Sequence, residues 1–441
     1  MNADPILRAI ATLTVALLPA AFAPPAAAQS GQPQRSVDAL VAELSPAIVD
    51  IRHRIHANPE LGNREHETAR LVAQHLRDLG LEVQTGVAHT GVVALLRGGR
   101  PGPTVAVRAD MDALPVVEET DLPYKSTVRT TYLGQEVGVM HACGHDVHTA
   151  VQLGVASVLA ALRDDLPGTV KLIFQPAEEG PPPGEEGGAR LMVAEGVLRD
   201  PAPEAIFGLH SEPRFEVGDV GFAPGPAWAA VDHFRATIRG RQAHGAAPQD
   251  SIDPIVMAAQ AVTALQTIRS RNLPPLAPSV ITVGIIRGGT RYNIIPGEVH
   301  LEGTVRTYDP AVQDTVERRM HEILDGITRA GGGGYELEYD RITPVVINDR
   351  ALAEQMLPTL RRVLGAEHVH DIEPQMAGED FAYFANEVPG FFYRLGTRTP
   401  GGESGGLHTP NFVADDAAIA VGMRLMANVV LDYLRSRSAG D

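Results

Sequence analysis

The sequence predicts an α/β protein with a mostly parallel central sheet and a second, smaller unit inserted into it. Three observations carry that prediction. A chain of 441 residues is too long for one ordinary core, so two domains are expected. Up to about Pro224, short apolar runs alternate with segments of helical period, the signature of βαβ units. Beyond Pro224 the order becomes β-α-β-β-α-β, the split ferredoxin-like arrangement, before helices and strands resume near Asn348.

The elements follow in order. Residues 1–28 read as a signal peptide: the short n-region MNADPILR, the apolar run AIATLTVALLPAAFA, and the small-x-small site Ala26-Ala27-Ala28. The mature chain is therefore expected to be exported, to the periplasm or beyond. Val37, Leu40, Val41, Leu44, Ile48, Ile51 and Ile55 recur at near-helical spacing. A second helix from about Glu65 to Leu79 stops at Gly80. Val92–Leu96, Thr104–Arg108, Val170–Phe174 and Ile206–Leu209 read as strands, and His148–Leu162 as a helix. In the inserted unit, strands are expected at His233–Arg239, Ser279–Arg287, Val299–Arg306 and Tyr335–Arg341. Helices are expected there at Asp253–Arg271 and Pro310–Ala330. The domain boundaries that result are 36–226 and 344–437 for the two parts of the main domain, and 227–343 for the insert.

Charge narrows the function. With 37 basic against 54 acidic residues, a net −17, broad contact with nucleic acid or an anionic membrane is not expected. Cys143 is the only cysteine, so no intramolecular disulfide forms. A lone thiol in an oxidising compartment needs an occupant, and a bound metal is one.

The candidate chemistry gathers at strand ends and loops. Cys143 and His145, two residues apart before a helix, can point at one centre, and thiolate with imidazole suits zinc and related divalent ions. Glu178 and Glu179 follow the strand Val170–Phe174 and a proline; adjacent residues point differently, so one can bind metal while the other acts as a base. His210 follows Ile206–Leu209, His408 sits in a loop before the last helix, and Asp110 and Asp112 follow Thr104–Arg108. Asp112 could orient a metal or tune a neighbouring ligand. His141 and His148 are not assigned as ligands, and Glu185-Glu186 is read as solvated.

Eight segments, RADMDALPV, MHACGHDVHTA, FQPAEEG, GLHSEP, GRQAHGAAP, NIIPGEV, MAGEDFAYF and LHTPNF, come in an order that resembles the M20 metallopeptidase family. Within it they resemble the amidohydrolase branch, with its hippurate hydrolases, N-acyl-amino-acid amidohydrolases and auxin-conjugate hydrolases. The resemblance spans Val37 to Leu434. It implies a two-metal, aminopeptidase-like catalytic domain whose insert is a lid and dimer interface. It implies Cys143, His145, Glu179, His210 and His408 as ligands, Glu178 as base and Asp112 as the orienting carboxylate. Other branches place a metal-binding histidine where this chain has Asp110, which leaves the role of Asp110 open. The implied cofactors are two divalent ions, zinc first, with manganese, cobalt or nickel as alternatives. His244 matches a histidine that reaches the substrate carbonyl across a homodimer; Asn293 and Arg306 match positions that hold the substrate carboxylate.

The expected reaction is hydrolysis of the amide bond of N-acyl amino acids or related small conjugates; the alternative is a carboxypeptidase or dipeptidase acting on short peptides. Two further rivals are a cysteine hydrolase with Cys143 as nucleophile and a binding protein that keeps the fold without catalysis. The first leaves Glu178, Glu179, His210 and His408 without a task, and the presence of Glu178 speaks against the second.

Overall fold

The structure is a computed structural model, and it describes residues 36–438. The leader expected at 1–28 lies outside the described residues.

The first helix, Val37–Ala57, starts where the Ser36 hydroxyl accepts the Ala39 N–H (3.2 Å), satisfying one of the donors a helix start leaves over. Its apolar stripe, Leu40, Val41, Ile48 and Ile55, is buried. The second helix covers His66–Asp78 and closes on Gly80 at φ +72°, the left-handed conformation that glycine adopts without a Cβ penalty.

The main sheet has eight strands in the order Glu82–Val87, Gly91–Arg97, Pro167–Gln175, Arg100–Asp110, Ile206–Glu216, Gly390–Arg398, Val220–Phe222 and Val369–Asp371. Its four middle strands, from Pro167–Gln175 to Gly390–Arg398, are mutually parallel. Val105, Val107, Leu172, Phe207 and Leu395 face one side and join a core with the helices Val37–Ala57, His145–Ala161 and Ala417–Ser438. Ala106, Ile173, Ile206 and Phe392 face the other side, against Met192, Trp228 and Phe381. The helices His145–Ala161 and Ala417–Ser438 cross closely because Gly154 faces Met423: a Cβ on Gly154 would lie 2.5 Å from the Met423 sulfur. Ala417–Ser438 is apolar enough to cross a membrane, but 72% of its most apolar window is buried in this core, as a soluble protein's central helix would be.

Two expectations need correction. His210 is not at the end of a short strand; it lies inside the eleven-residue strand Ile206–Glu216. That strand pairs with Arg100–Asp110 only from Ile206 to Gly208, whereas its other edge stays paired with Gly390–Arg398 as far as Glu216. The ladder thus opens on one side just before His210, and a crevice starts there. The third helix starts at His145 rather than His148, so His145 is its first residue.

The second sheet has four antiparallel strands in the order Ser279–Gly288, Glu298–Thr307, Ala230–Arg239 and Gly334–Thr343. Burial alternates along Ala230–Arg239, the two-residue period of a sheet covered on one face. The helices Pro254–Thr267 and Pro310–Ala330 supply that cover. Each starts with an aspartate cap and a proline in its first turn: Asp253 accepts from Ile255 and Val256, and Asp309 from Ala311. The first of them ends as α-helix at Thr267 and continues as a single π-turn, Ile268–Asn272, rather than running unbroken to Arg271.

Candidate metal centre

Four segments converge at the crevice. Cys143 closes the loop before the third helix; its Sγ lies 3.4 Å from His210 Nε2 and 3.3 Å from His408 Nε2. His408 Nε2 is also 3.1 Å from Glu179 Oε1. His408 has φ +62°, a left-handed conformation that a non-glycine residue adopts at some cost, and its N–H donates to the Ala142 carbonyl (2.8 Å). Cys143, His145 and His210 can reach one point, and Cys143, Glu179 and His408 a second. Glu178, Glu179 and His145 form a further group, so all six residues share one locus.

A polar atom left without a partner supports a cation here. His145 Nε2 is buried and has no hydrogen bond. Buried polar atoms are rarely left so, and this one is a ligand atom aimed at the cluster. A thiol, three imidazoles and a carboxylate form a donor set suited to zinc-like divalent ions.

The surrounding carboxylates fix these donors. Asp112 Oδ1 lies 3.2 Å from His145 Nδ1, and its Oδ2 accepts the Glu179 N–H (2.9 Å). One aspartate therefore sets the ring of one candidate ligand and the backbone of another. Asp110 Oδ1 meets His148 Nδ1 at 2.6 Å, while His148 Nε2 accepts the Ser211 N–H (2.7 Å). An accepting Nε2 leaves the proton on Nδ1, so His148 donates to Asp110 and both of its ring nitrogens are engaged. His141 is fully buried, and neither ring nitrogen has a partner.

Charge here is set by burial first. Burial pushes His210 and His148 each down to about 4. It opposes charge on His145 too, but Asp110 and Asp112 outweigh it and hold that pKa well above the ordinary value. Burial, with Glu179 second, pushes the Cys143 thiol up, the opposite of what an activated cysteine nucleophile needs. Glu178 is also pushed well up, by burial and then by Glu379, Glu179 and Asp380. Its Oε1 accepts the Asp380 N–H (3.3 Å), and its Oε2 lies 3.8 Å from His145 Nε2.

Sequence reasoning gave no role to the groups behind Glu178. Arg108, wholly buried, donates to Asp110 Oδ2 (2.8 Å), Asp380 Oδ1 (2.9 Å) and Gln175 Oε1 (2.8 Å), and lies 3.0 Å from Glu379 Oε1. An arginine inside an apolar strand was the available signal. Glu65 is likewise buried; it accepts the Ala177 N–H (2.8 Å) and the Thr90 hydroxyl (2.6 Å), holding the turn in which Ala177 takes φ +51°. Glu185 is exposed, as read from the sequence, and pairs at the surface with Arg64 (2.5 Å) and Asn63 (3.1 Å).

His244, Asn293 and Arg306 lie apart from this locus. His244 is exposed on the short pairing of Ala243–His244 with Ile294–Ile295, where its Nδ1 accepts the Ala246 N–H (3.0 Å). Asn293 is next to it, with its carbonyl accepting the Gly245 N–H (2.9 Å). Arg306 is half-buried in the second sheet against Thr304 and the Val305 carbonyl. Among the described residues, no hydrogen bond or ion pair joins these three to the cluster.

A family model described as peptidase family M20/M25/M40 matches residues 106–432, from the strand carrying Arg108 to the last helix. The chain belongs to this family. Among M20 relatives, it is 39% identical to the N-acetyl-L-cysteine deacetylase of Bacillus subtilis over 376 residues, 85% of each chain. It is 36% identical to the IAA-amino acid hydrolase ILR1-like 2 of Arabidopsis thaliana over 401 residues, 90% of this chain and 87% of that one. Its fold is similar to the crystal structure of the Bacillus subtilis YXEP protein, described as a dinuclear metal binding peptidase of the M20 family. There the TM-score is 0.77 at 33% identity, covering 90% of this chain and 99% of that one. The M20 fold thus accounts for the mostly parallel central sheet.

Proposed function

We propose that this M20 chain is a two-metal hydrolase that cleaves the amide bond of N-acyl amino acids or related small conjugates, releasing a carboxylic acid and an amino acid. The observation that carries the reading is the place of Glu178: a half-buried carboxyl whose Oε2 lies 3.8 Å from the unpartnered His145 Nε2 of a five-donor cluster. The relatives' names, a deacetylase and an amino-acid conjugate hydrolase, support the same bond type.

Cys143, His145, Glu179, His210 and His408 would hold the ions, with zinc favoured by the thiolate and imidazoles and manganese, cobalt or nickel as alternatives. When bound, the ions supply polarisation of the amide carbonyl and a lowered pKa for the attacking water. Glu178 takes the proton of that water on a carboxylate oxygen and returns it to the leaving nitrogen. Asp112 holds His145 and the Glu179 backbone in place for both steps. In the second sheet's unit, acting as lid and dimer interface, His244 of the partner protomer donates to the developing oxyanion, and Asn293 and Arg306 hold the substrate's α-carboxylate.

The test is a panel of N-acyl amino acids and blocked dipeptides incubated with metal-loaded protein, with released amine read by ninhydrin. Amine release from N-acyl amino acids is expected. Release from the dipeptides alone would favour the carboxypeptidase alternative, and release from neither would overturn the proposal.

A further inference from the structure

We propose that a second cavity, floored by Lys171, binds a free α-amino acid with an apolar side chain. The inference goes beyond the amide-hydrolase reading and does not depend on it, since the cavity shares no residue with the six of the metal centre.

Strand register places Glu82, Leu95 and Lys171 in one row across three neighbouring strands. Side chains alternate between faces, so Lys171 shares its face with Ile173, on the side of Met192 and Trp228. There the turn Glu195–Val197, which follows the helix Gly188–Ala194, leaves a cavity of about 320 Å³. That volume is at the small end of the range for sites that enclose an organic ligand. The strand from Lys171 to Gln175 spans about 13 Å, so the cavity lies well short of Glu178 and Glu179.

Lys171 is the residue that calls for a ligand. It is 1% exposed, it lines the cavity, and its Nζ donates to the Val197 carbonyl (2.7 Å). Among the described residues it makes no other hydrogen bond, and no carboxylate pairs with it. An ammonium has three donors, and a buried lysine without a carboxylate partner is rare. Burial pushes its pKa down, with Asp200 opposing more weakly. A ligand carboxylate would take the free donors and balance the charge.

The rim carries the opposite charge. Glu195 and Asp200 are exposed there. Glu195 uses only Oε2, on the Ala88 N–H (2.8 Å), and Asp200 makes no hydrogen bond or ion pair among the described residues. Glu82 is already taken by Arg97 (2.8 Å). Val87, Val93 and Leu95 add an apolar wall. A cation at the floor, free anions at the rim and an apolar wall match a carboxylate, an ammonium and a short apolar side chain on one small molecule. A plain carboxylic acid would bring no cation to Glu195 and Asp200, and a plain amine would leave Lys171 unpaired.

The experiment titrates L-leucine into the metal-loaded protein by calorimetry. Alongside it run 4-methylpentanoate, which lacks the ammonium, and 3-methylbutylamine, which lacks the carboxylate. L-Leucine is expected to bind, and each analogue to bind at least about tenfold more weakly, the scale of one charge-assisted hydrogen bond. Lys171→Met, and separately Glu195→Gln combined with Asp200→Asn, are each expected to weaken L-leucine by at least about tenfold. The double variant changes only exposed groups, and its glutamine still accepts the Ala88 N–H, so it decides the matter if Lys171→Met fails to fold. L-Leucine affinity unchanged in either variant that folds would place the amino acid elsewhere, at the metal centre for example, and overturn the proposal. So would the absence of L-leucine binding. 4-Methylpentanoate binding as tightly as L-leucine would make this a site for simple carboxylates and overturn the amino-acid assignment. None of these readings uses turnover, so amide hydrolysis stands or falls separately.

Discussion

Glu178 and Glu179 are neighbours in sequence and are proposed for different tasks because their surroundings differ. Glu179 has its backbone N–H on Asp112 and its carboxylate 3.1 Å from His408, among cations that favour its charged form. Burial first, and then Glu379, Glu179 and Asp380 nearby, push the Glu178 carboxyl well above the usual carboxylate range. Glu178→Gln is therefore expected to keep its metal content by elemental analysis while kcat falls at least about a hundredfold, the scale of a lost general base. Near-normal kcat in that variant would remove the assignment. Cys143→Ala is expected to lower metal stoichiometry, because Sγ lies at the junction of His210 and His408. Unchanged stoichiometry would mean that Cys143 is not a ligand. Asp112→Asn should weaken metal affinity by about 10- to 100-fold, since it loses the charged acceptor behind His145; competition with a chromophoric chelator measures this. The six clustered residues were all candidates in the sequence, from a Cys-x-His pair, adjacent carboxylates and histidines that follow apolar runs, and the fold brings them to one crevice. Arg108 left only the signal of an arginine inside an apolar strand and Glu65 none, because partners such as Asp380 and Ala177 are distant in sequence.

At the scale of elements, the sequence was most legible where burial follows a simple period. The two aspartate-capped helices and four strands of the second sheet were placed to within a few residues, since one face is covered and the other solvated. The helix Pro310–Ala330 matched its expected ends because Asp309 and Pro310 start it and four glycines follow it. The misses lie next to the site. His145 was read as loop because a Gly-containing turn precedes it, yet Gly144 at φ +85° is the residue that lets the helix begin there. His210 was read as a strand end because apolar residues stop at Leu209, whereas backbone pairing with Gly390–Arg398 continues to Glu216. The caps give a prediction free of the active site. Asp309→Ala removes the acceptor for the Ala311 N–H and should cost about 1 kcal/mol, read as a lowered midpoint in urea at unchanged slope. A midpoint equal to that of the unaltered protein would show that the cap contributes nothing.

For the whole molecule, the proposed ligands come from segments around residues 143, 179, 210 and 408, so a bound ion ties together parts of the chain far apart in sequence. An ion that binds only the folded state adds about 2.7 kcal/mol at a hundredfold excess over its Kd. Chelation is thus expected to lower Tm by several degrees, and zinc or manganese to restore it; a Tm indifferent to both would argue against resident ions. The exposed His244 leads to the last prediction. Within one chain it has no bond to the cluster, so its proposed role requires a second protomer. Ile255 and Val256, 46% and 53% exposed, form an apolar strip on the helix Pro254–Thr267, and the neighbouring sheet edge exposes Val280 and Ile286. An open strand edge and an apolar strip side by side suit a two-fold contact. Ile255→Asp with Val256→Asp should halve the mass measured by light scattering and lower kcat at least tenfold while Tm stays within a few degrees. A monomer of full activity would sink the cross-protomer role of His244 and leave the metal centre of each chain sufficient by itself.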